Sequence, residues 1–258
     1  MGYPPPIQDV LAGFETDGEN FRTASEANVF RYTDPTSNQT VFVKIQGLTP
    51  DPPLSHERDA MEWLAGKLIV PKVVAYHKEN VTEYLVTTAI PGVSSENGSC
   101  HDDKQRLVEQ LAQALLEIHT LSIVGCPIDR TAESLIESGH TRIAAGVVTR
   151  KMIDEEGLTG APLDALTDLA STQPSVDGPV FTHGDYCLPN VMIENNRIAG
   201  FIDLGYAGVG DPYRDFTAAK YSVRRNLGEE WVQPFFDAYG IAPDEAKLDW
   251  YNKMQTFE

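Results

Sequence analysis

Asp185, Asn190 and Asp203 bring together, in one short stretch, the oxygen groups needed to move a phosphoryl group. They stand in His183-Gly-Asp-Tyr-Cys-Leu-Pro-Asn190, Val191-Met-Ile-Glu-Asn-Asn-Arg-Ile-Ala-Gly-Phe-Ile202 and Asp203-Leu-Gly205. Such a transfer needs a carboxylate to accept the proton of the attacking hydroxyl. It also needs oxygen ligands for the magnesium ions that screen nucleotide phosphates. Asp185 suits the first role, Asn190 and Asp203 the second. Cys187 shares the loop, but the sequence places no base to make its thiolate.

These residues need a frame. Val191 to Glu194 and Arg197 to Ile202 are β-prone runs separated by Asn195-Asn196, residues that tolerate a left-handed turn. The spacing predicts a hairpin with Asn190 and Asp203 at its open end, and Gly205 is expected to permit a sharp turn just beyond. The order His-x-Asp, Asn five positions after the Asp, then Asp-x-Gly is that of kinase catalytic and metal loops. Upstream, Val29-Phe-Arg-Tyr32 and Val41-Phe-Val-Lys-Ile45 flank the turn formers Thr33 to Asn38, which predicts a second hairpin. Val41, Val43 and Ile45 then share one face, and Phe42 and Lys44 the other.

A helix is expected from Ser55 as N-cap, with Met61, Leu64 and Leu68 as its apolar stripe and Pro71 closing it. Glu57 falls on its buried side, where a carboxylate needs a partner. Lys44 is the natural one, as in the strand-lysine to helix-glutamate pair of kinases. Tyr84 to Gly92 reads as a strand running into an extended linker. Beyond it the chain is mostly helical: Leu107, Leu111, Leu115, Ile118 and Leu121 recur at helical spacing, and Pro162 suits a helix start. The aromatics of Trp231 to Tyr239 and Trp250-Tyr251 are expected in the core.

With 258 residues and 41% hydrophobic composition the chain can bury a large core as two lobes around a cleft. No apolar run reaches the ~20 residues of a membrane helix, and Met1-Gly-Tyr-Pro-Pro-Pro6 lacks signal-peptide features. Three cysteines without metal-ligand spacing suit a reducing, cytoplasmic setting. A formal charge of −18 disfavours nucleic acid or an anionic membrane as partner and is compatible with a cationic small molecule.

With Lys44, Glu57, His183-Gly-Asp185, Asn190 and Asp203 in this order, the chain resembles the aminoglycoside phosphotransferases, relatives of the protein kinases. It is most similar to the kanamycin-type 3′-phosphotransferases, from Ser25-Glu-Ala-Asn-Val-Phe-Arg31 to the terminal aromatic helix. The resemblance implies an α+β, bilobal protein-kinase-like fold. Residues 1–90 would form a small β-rich nucleotide-binding lobe, and 91–258 a larger, mainly helical catalytic and substrate-binding lobe.

It further implies ATP in the cleft, with Ser25 over the phosphates, Lys44 on them, Glu57 pairing Lys44, and Thr88 and Ile90 holding the adenine edge. Asp185 would be the base, and Asn190 and Asp203 would hold Mg2+. Asp154, Glu155 and Glu156 match the family's acidic cluster for drug ammonium groups, and Glu258 takes the place of its terminal carboxylate. Asp215 is expected to support the catalytic loop through backbone hydrogen bonds. The chain departs from the family's pattern at Tyr206, Tyr221, Ser222 and Arg225.

The implied reaction is phosphorylation of a hydroxyl on an aminoglycoside or related aminosugar, by a monomer or homodimer. The alternatives are a kinase for another metabolite (choline, homoserine, methylthioribose or a sugar), a nucleotide-binding pseudokinase, and a hydrolase with His183 and Asp185 on a metal.

Overall fold

The turn formers between Thr33 and Thr40 close the hairpin as expected. Asp34 caps the turn by accepting from Thr36 N–H at 2.8 Å and Ser37 Oγ at 2.6 Å, and Asn38 takes the left-handed conformation. The computed structural model describes residues 2–20, 27–47, 52–176 and 178–258. Its N-terminal part is an antiparallel sheet in the order β1-β2-β3-β5-β4, comprising β1 (Glu15–Asn20), β2 (Asn28–Thr33), β3 (Thr40–Gln46), β4 (Val73–Glu79) and β5 (Thr82–Thr88). Period-two alternation divides β3. Val41 and Val43 are buried beneath helix α1 (Pro5–Val10) with Ile7, Leu11 and Val86, while Lys44 points to the other side.

Helix α2 (Leu54–Leu64) crosses that other side, and both of its ends differ from the sequence expectation. Pro53, not Ser55, is the N-cap. The N–H of Ser55 instead reaches Glu83 Oε2 at 3.4 Å, because a proline at the boundary already sets the extended backbone a helix start requires. The helix stops at Leu64, before left-handed Gly66, so Leu68 packs on the core from the loop rather than from the helix stripe.

The C-terminal part is mainly helical: α3 (Lys104–His119), α4 (Ala132–Ala144), α5 (Arg150–Glu155), α6 (Pro162–Ser171), α7 (Tyr213–Leu227), α8 (Val232–Tyr239) and α9 (Glu245–Met254). Two small sheets carry its loops. One has the order β6-β8-β9 (Val93–Ser94, Val191–Glu194, Arg197–Phe201), and the other pairs β7 (Val180–Thr182) with β10 (Gly208–Gly210). Leu111, Leu115 and Ile118 of α3 are buried with Phe216, Phe235 and Phe236, as their spacing predicts. Each such side chain contributes about 2 kcal/mol of burial, more than helix propensity can supply. A second cluster joins Leu135, Leu166, Trp250, Tyr251, Met254 and Phe257. Between the two parts, Trp63 of α2 stacks on Phe181 of β7 with centroids 4.8 Å apart, and Lys67 Nζ lies 3.3 Å from the centre of its ring. No helix among the described residues is long and apolar enough to cross a membrane.

Candidate active site

Asn195 and Asn196 both have positive φ (52° and 58°), the pairing a two-residue hairpin turn demands. They set β8 against β9 with Val191 opposite Phe201, and Ile202 N–H donates to Asn190 O at 3.0 Å. Asn190 and Asp203 therefore share the hairpin's open end. Asn190 Nδ2 donates to Asp185 Oδ2 at 2.8 Å and to Asp185 O at 3.0 Å, which turns the amide oxygen toward a further partner. The left-handed residue just beyond the hairpin is Asp203 itself (φ 62°), and Gly205 is not among the positive-φ glycines. Aspartate tolerates this conformation better than most residues, so the turn falls on Asp203 and not on the glycine after it.

Lys44 and Glu57 meet. Lys44 Nζ donates to Glu57 Oε1 and Oε2 at 2.7 and 2.9 Å, and also to Asp203 Oδ1 at 2.9 Å. The contact with Asp203 was not foreseen, because it spans most of the chain. Burial opposes the Lys44 ammonium, but Asp203 and Glu57 outweigh it and hold its pKa above the ordinary lysine value. Lys44 is likewise the main reason the Asp203 carboxyl sits below its usual range. Burial dominates at Glu57 and pushes it upward, with Lys44 pulling against it. Burial, then the neighbouring Asp185 carboxylate, pushes the Cys187 thiol up, which keeps it protonated and unsuited to nucleophilic attack.

The loop bearing Asp185 is pinned from several sides. Buried Asp215 accepts from His183 N–H (Oδ2, 2.8 Å) and Gly184 N–H (Oδ1, 2.7 Å), as its expected supporting role requires. His119 Nε2 donates to Asp215 Oδ2 at 3.0 Å, and its Nδ1 meets Tyr239 Oη at 2.9 Å. His183 Nε2 lies 3.0 Å from Ile202 O and must donate, so Nδ1 is left to accept from Asp185 N–H at 3.4 Å. Ser222 Oγ accepts from Leu188 N–H and Ser95 Oγ donates to Leu188 O, both at 2.8 Å.

Gly184 has φ +83°, and a Cβ there would run into the Tyr206 carbonyl. Gly184→Ala is therefore expected to cost about 3 kcal/mol, from backbone conformation and overpacking together. A denaturant titration showing wild-type stability would refute this.

A loop carrying Asp185, an open hairpin end and a strand lysine come together, and the pattern that defines the phosphotransferase enzyme family matches residues 19–251. The chain belongs to this family. It is 32% identical over 206 residues to an aminoglycoside 3′-phosphotransferase of Niallia circulans, covering 79% of this chain and 78% of the relative. Its identity to the streptomycin 3″-kinase of Streptomyces griseus is 30% over 241 residues, covering 88% and 86%. A crystal structure of an aminoglycoside-3′-phosphotransferase of type VIII superposes with a TM-score of 0.81 at 25% identity, over 99% of this chain and 100% of that one. The phosphotransferase is thus an α+β protein of kinase-like, bilobal fold.

The remaining expected residues of this phosphotransferase lie in several places. Ser25 is outside the described residues. Thr88 ends β5, where its N–H donates to Lys72 O at 2.9 Å, and half-buried Ile90 follows in the connection between lobes. Asp154, Glu155 and Glu156 are exposed at the end of α5. Arg150 reaches Asp154 at 2.8 Å, Lys151 reaches Glu155 at 3.5 Å, and Asn252 of α9 donates to Glu156 at 3.1 Å. Glu258 is held by Arg214 of α7 at 2.9 Å, and Arg214 also donates to Tyr206 O at 3.3 Å. Sequence reasoning missed His119 and Arg214, and it named Ser222 only as a departure from the family's pattern, not as a support for the loop at Leu188. Their signal is a long-range contact that no local spacing carries.

Proposed function

We propose that the protein transfers the terminal phosphoryl group of ATP to a hydroxyl of an aminoglycoside or related aminosugar, directly and without a phosphoenzyme. One observation carries the reading: Lys44 Nζ touches both Glu57 and Asp203, while Asn190 at the same hairpin end is bonded to Asp185. On this reading Asp185 is the base, Asn190 and Asp203 are the oxygen ligands, and Lys44 is the phosphate-binding cation. Asp185 orients the acceptor hydroxyl and takes its proton. Lys44, steadied by Glu57, holds the nucleotide phosphates, and Ser25 is proposed as a further phosphate contact. Thr88 N–H is already engaged by Lys72, so Ile90 supplies the donor for the adenine edge.

Asn190 and Asp203 offer the hard oxygen donors that magnesium prefers, and the Asp203 carboxylate already attracts a cation, Lys44. When bound there, magnesium neutralises charge on the phosphates. Residues 1–90 serve as the nucleotide-binding lobe and 91–258 as the catalytic and acceptor lobe. Asp154, Glu155, Glu156 and Glu258 give the acceptor side its acidic groups for ammonium substituents. The setting is the cytoplasm, where ATP and reduced thiols coexist.

Coupled ADP release with ATP and magnesium across kanamycin, neomycin, gentamicin, streptomycin and glucosamine tests the reading. Turnover of at least one is expected. Nucleotide binding without turnover of any would reject this acceptor class.

A further inference from the structure

Glu83 of β5 is a buried carboxylate on the sheet that carries Lys44. In the register of β3 and β5, Lys44 stands opposite Leu85 and Gln46 opposite Glu83, so all four side chains share the face on which α2 packs. Glu83 is 5% exposed. Its Oε1 accepts from Tyr76 Oη at 2.9 Å and Lys78 Nζ at 3.0 Å, and its Oε2 from the Ser55 N–H at 3.4 Å. Burial works against its charge, but Lys78 and Tyr76 outweigh it and hold the carboxyl below the ordinary glutamate value.

The start of α2 needs what Glu83 gives. The N-cap Pro53 has no side-chain acceptor, which leaves first-turn N–H groups to find partners elsewhere. Glu83 reaches one of them from the sheet, where its charge also suits the positive end of a helix. Gln46, its neighbour across the strands, donates to Pro52 O at 3.0 Å, just before the N-cap. Further along, the Arg58 guanidinium lies 4.4 Å from the centre of the Tyr76 ring, whose hydroxyl donates to Glu83. The helix is thus held at Pro52, Ser55 and Arg58, on both sides of Glu57. An apolar side chain would fill the place of Glu83 at a lower desolvation cost. A buried carboxylate adds fixed geometry to the packing.

We propose that Glu83 is a positioning residue for the nucleotide site, fixing the first turn of α2 so that Glu57 meets Lys44. The role presupposes that Lys44, steadied by Glu57, holds the nucleotide phosphates. Glu57 sets both carboxylate oxygens on Lys44 Nζ, at 2.7 and 2.9 Å. A first turn displaced by about one ångström opens that fork and leaves Lys44 to Asp203 alone. Glu83 acts through the backbone of α2, at Ser55, and not by touching the ligand.

Calorimetric titration of the full chain with ADP and magnesium tests the role through a double-mutant cycle. Glu57→Gln is expected to weaken binding about tenfold, Glu83→Ala about fivefold, and the two together little more than Glu57→Gln alone. A contribution that does not run through Glu57 multiplies in full, to about fiftyfold in the double variant. Tyr76→Phe keeps the ring beside Arg58 and removes one bond to Glu83. It serves should Glu83→Ala fail to fold, with an expected loss of about threefold that likewise vanishes beside Glu57→Gln. Unchanged affinity in these variants, or losses that multiply in full, overturn the role of Glu83 and leave the phosphate-holding pair standing. Wild-type affinity in Glu57→Gln instead rejects the pair as a phosphate holder, and the role of Glu83 with it.

Discussion

Asp185→Ala is expected to lower kcat by about two to four orders of magnitude, the range for a positioned base, with the KM for ATP little changed. The side chain is half-buried, and only one of the two bonds from Asn190 Nδ2 ends on its carboxylate. The other ends on the backbone carbonyl and survives the substitution. Asn190 therefore keeps its orientation, and a fall in kcat reports lost chemistry, not a collapsed loop. Asp185→Asn refines the test: it preserves an acceptor for Asn190 Nδ2 and removes only the basicity. Both variants should lose activity alike. Undiminished turnover in either would remove Asp185 from the proton-accepting role.

Asp215→Ala is expected to destabilise the protein by about 3–5 kcal/mol, because one substitution strands the His183 and Gly184 N–H groups and His119 in the core. That is a large share of the 5–15 kcal/mol typical of a domain. The stabilisation depends on pH with a definite sign. Burial works against the Asp215 charge, but His119 and the backbone donors outweigh it and hold its pKa below the ordinary aspartate value. Its contribution is fully present above the unfolded value near pH 4 and is lost as pH falls through the lower folded value. Stability followed by urea unfolding should fall less steeply below about pH 4 in Asp215→Asn than in the wild type. Parallel acid limbs would show that Asp215 is not the group responsible.

The parts of the molecule legible in the sequence are those where a short pattern has one physical solution. Asn195-Asn196 between two β-prone runs admits little but a tight hairpin, and that alone brings Asn190 to Asp203. Lys44 and Glu57 were legible because alternation on a strand and periodicity on a helix each point a charge inward, and two buried charges must meet. Local reading failed where neighbours compete. Ser55 is a good cap, yet Pro53 fixes the boundary first, and Gly205 is the more permissive residue, yet Asp203 makes the turn. Contacts closed by the tertiary fold, such as Arg214 with Glu258, His119 with Asp215 and Arg130 with His56, leave no trace in spacing. The acidic run at Asp154 reads the same on a solvated helix end as it would against a ligand.

The stack of Trp63 on Phe181 joins a helix from the N-terminal half to a strand from the C-terminal half. An indole in that position is a chromophore seated where the two halves touch. Trp231 and Trp250, the other two tryptophans, pack within the C-terminal half and supply a constant background. The protein thereby carries its own optical gauge: light emitted by one ring reports on the packing where its two halves meet, without any label attached.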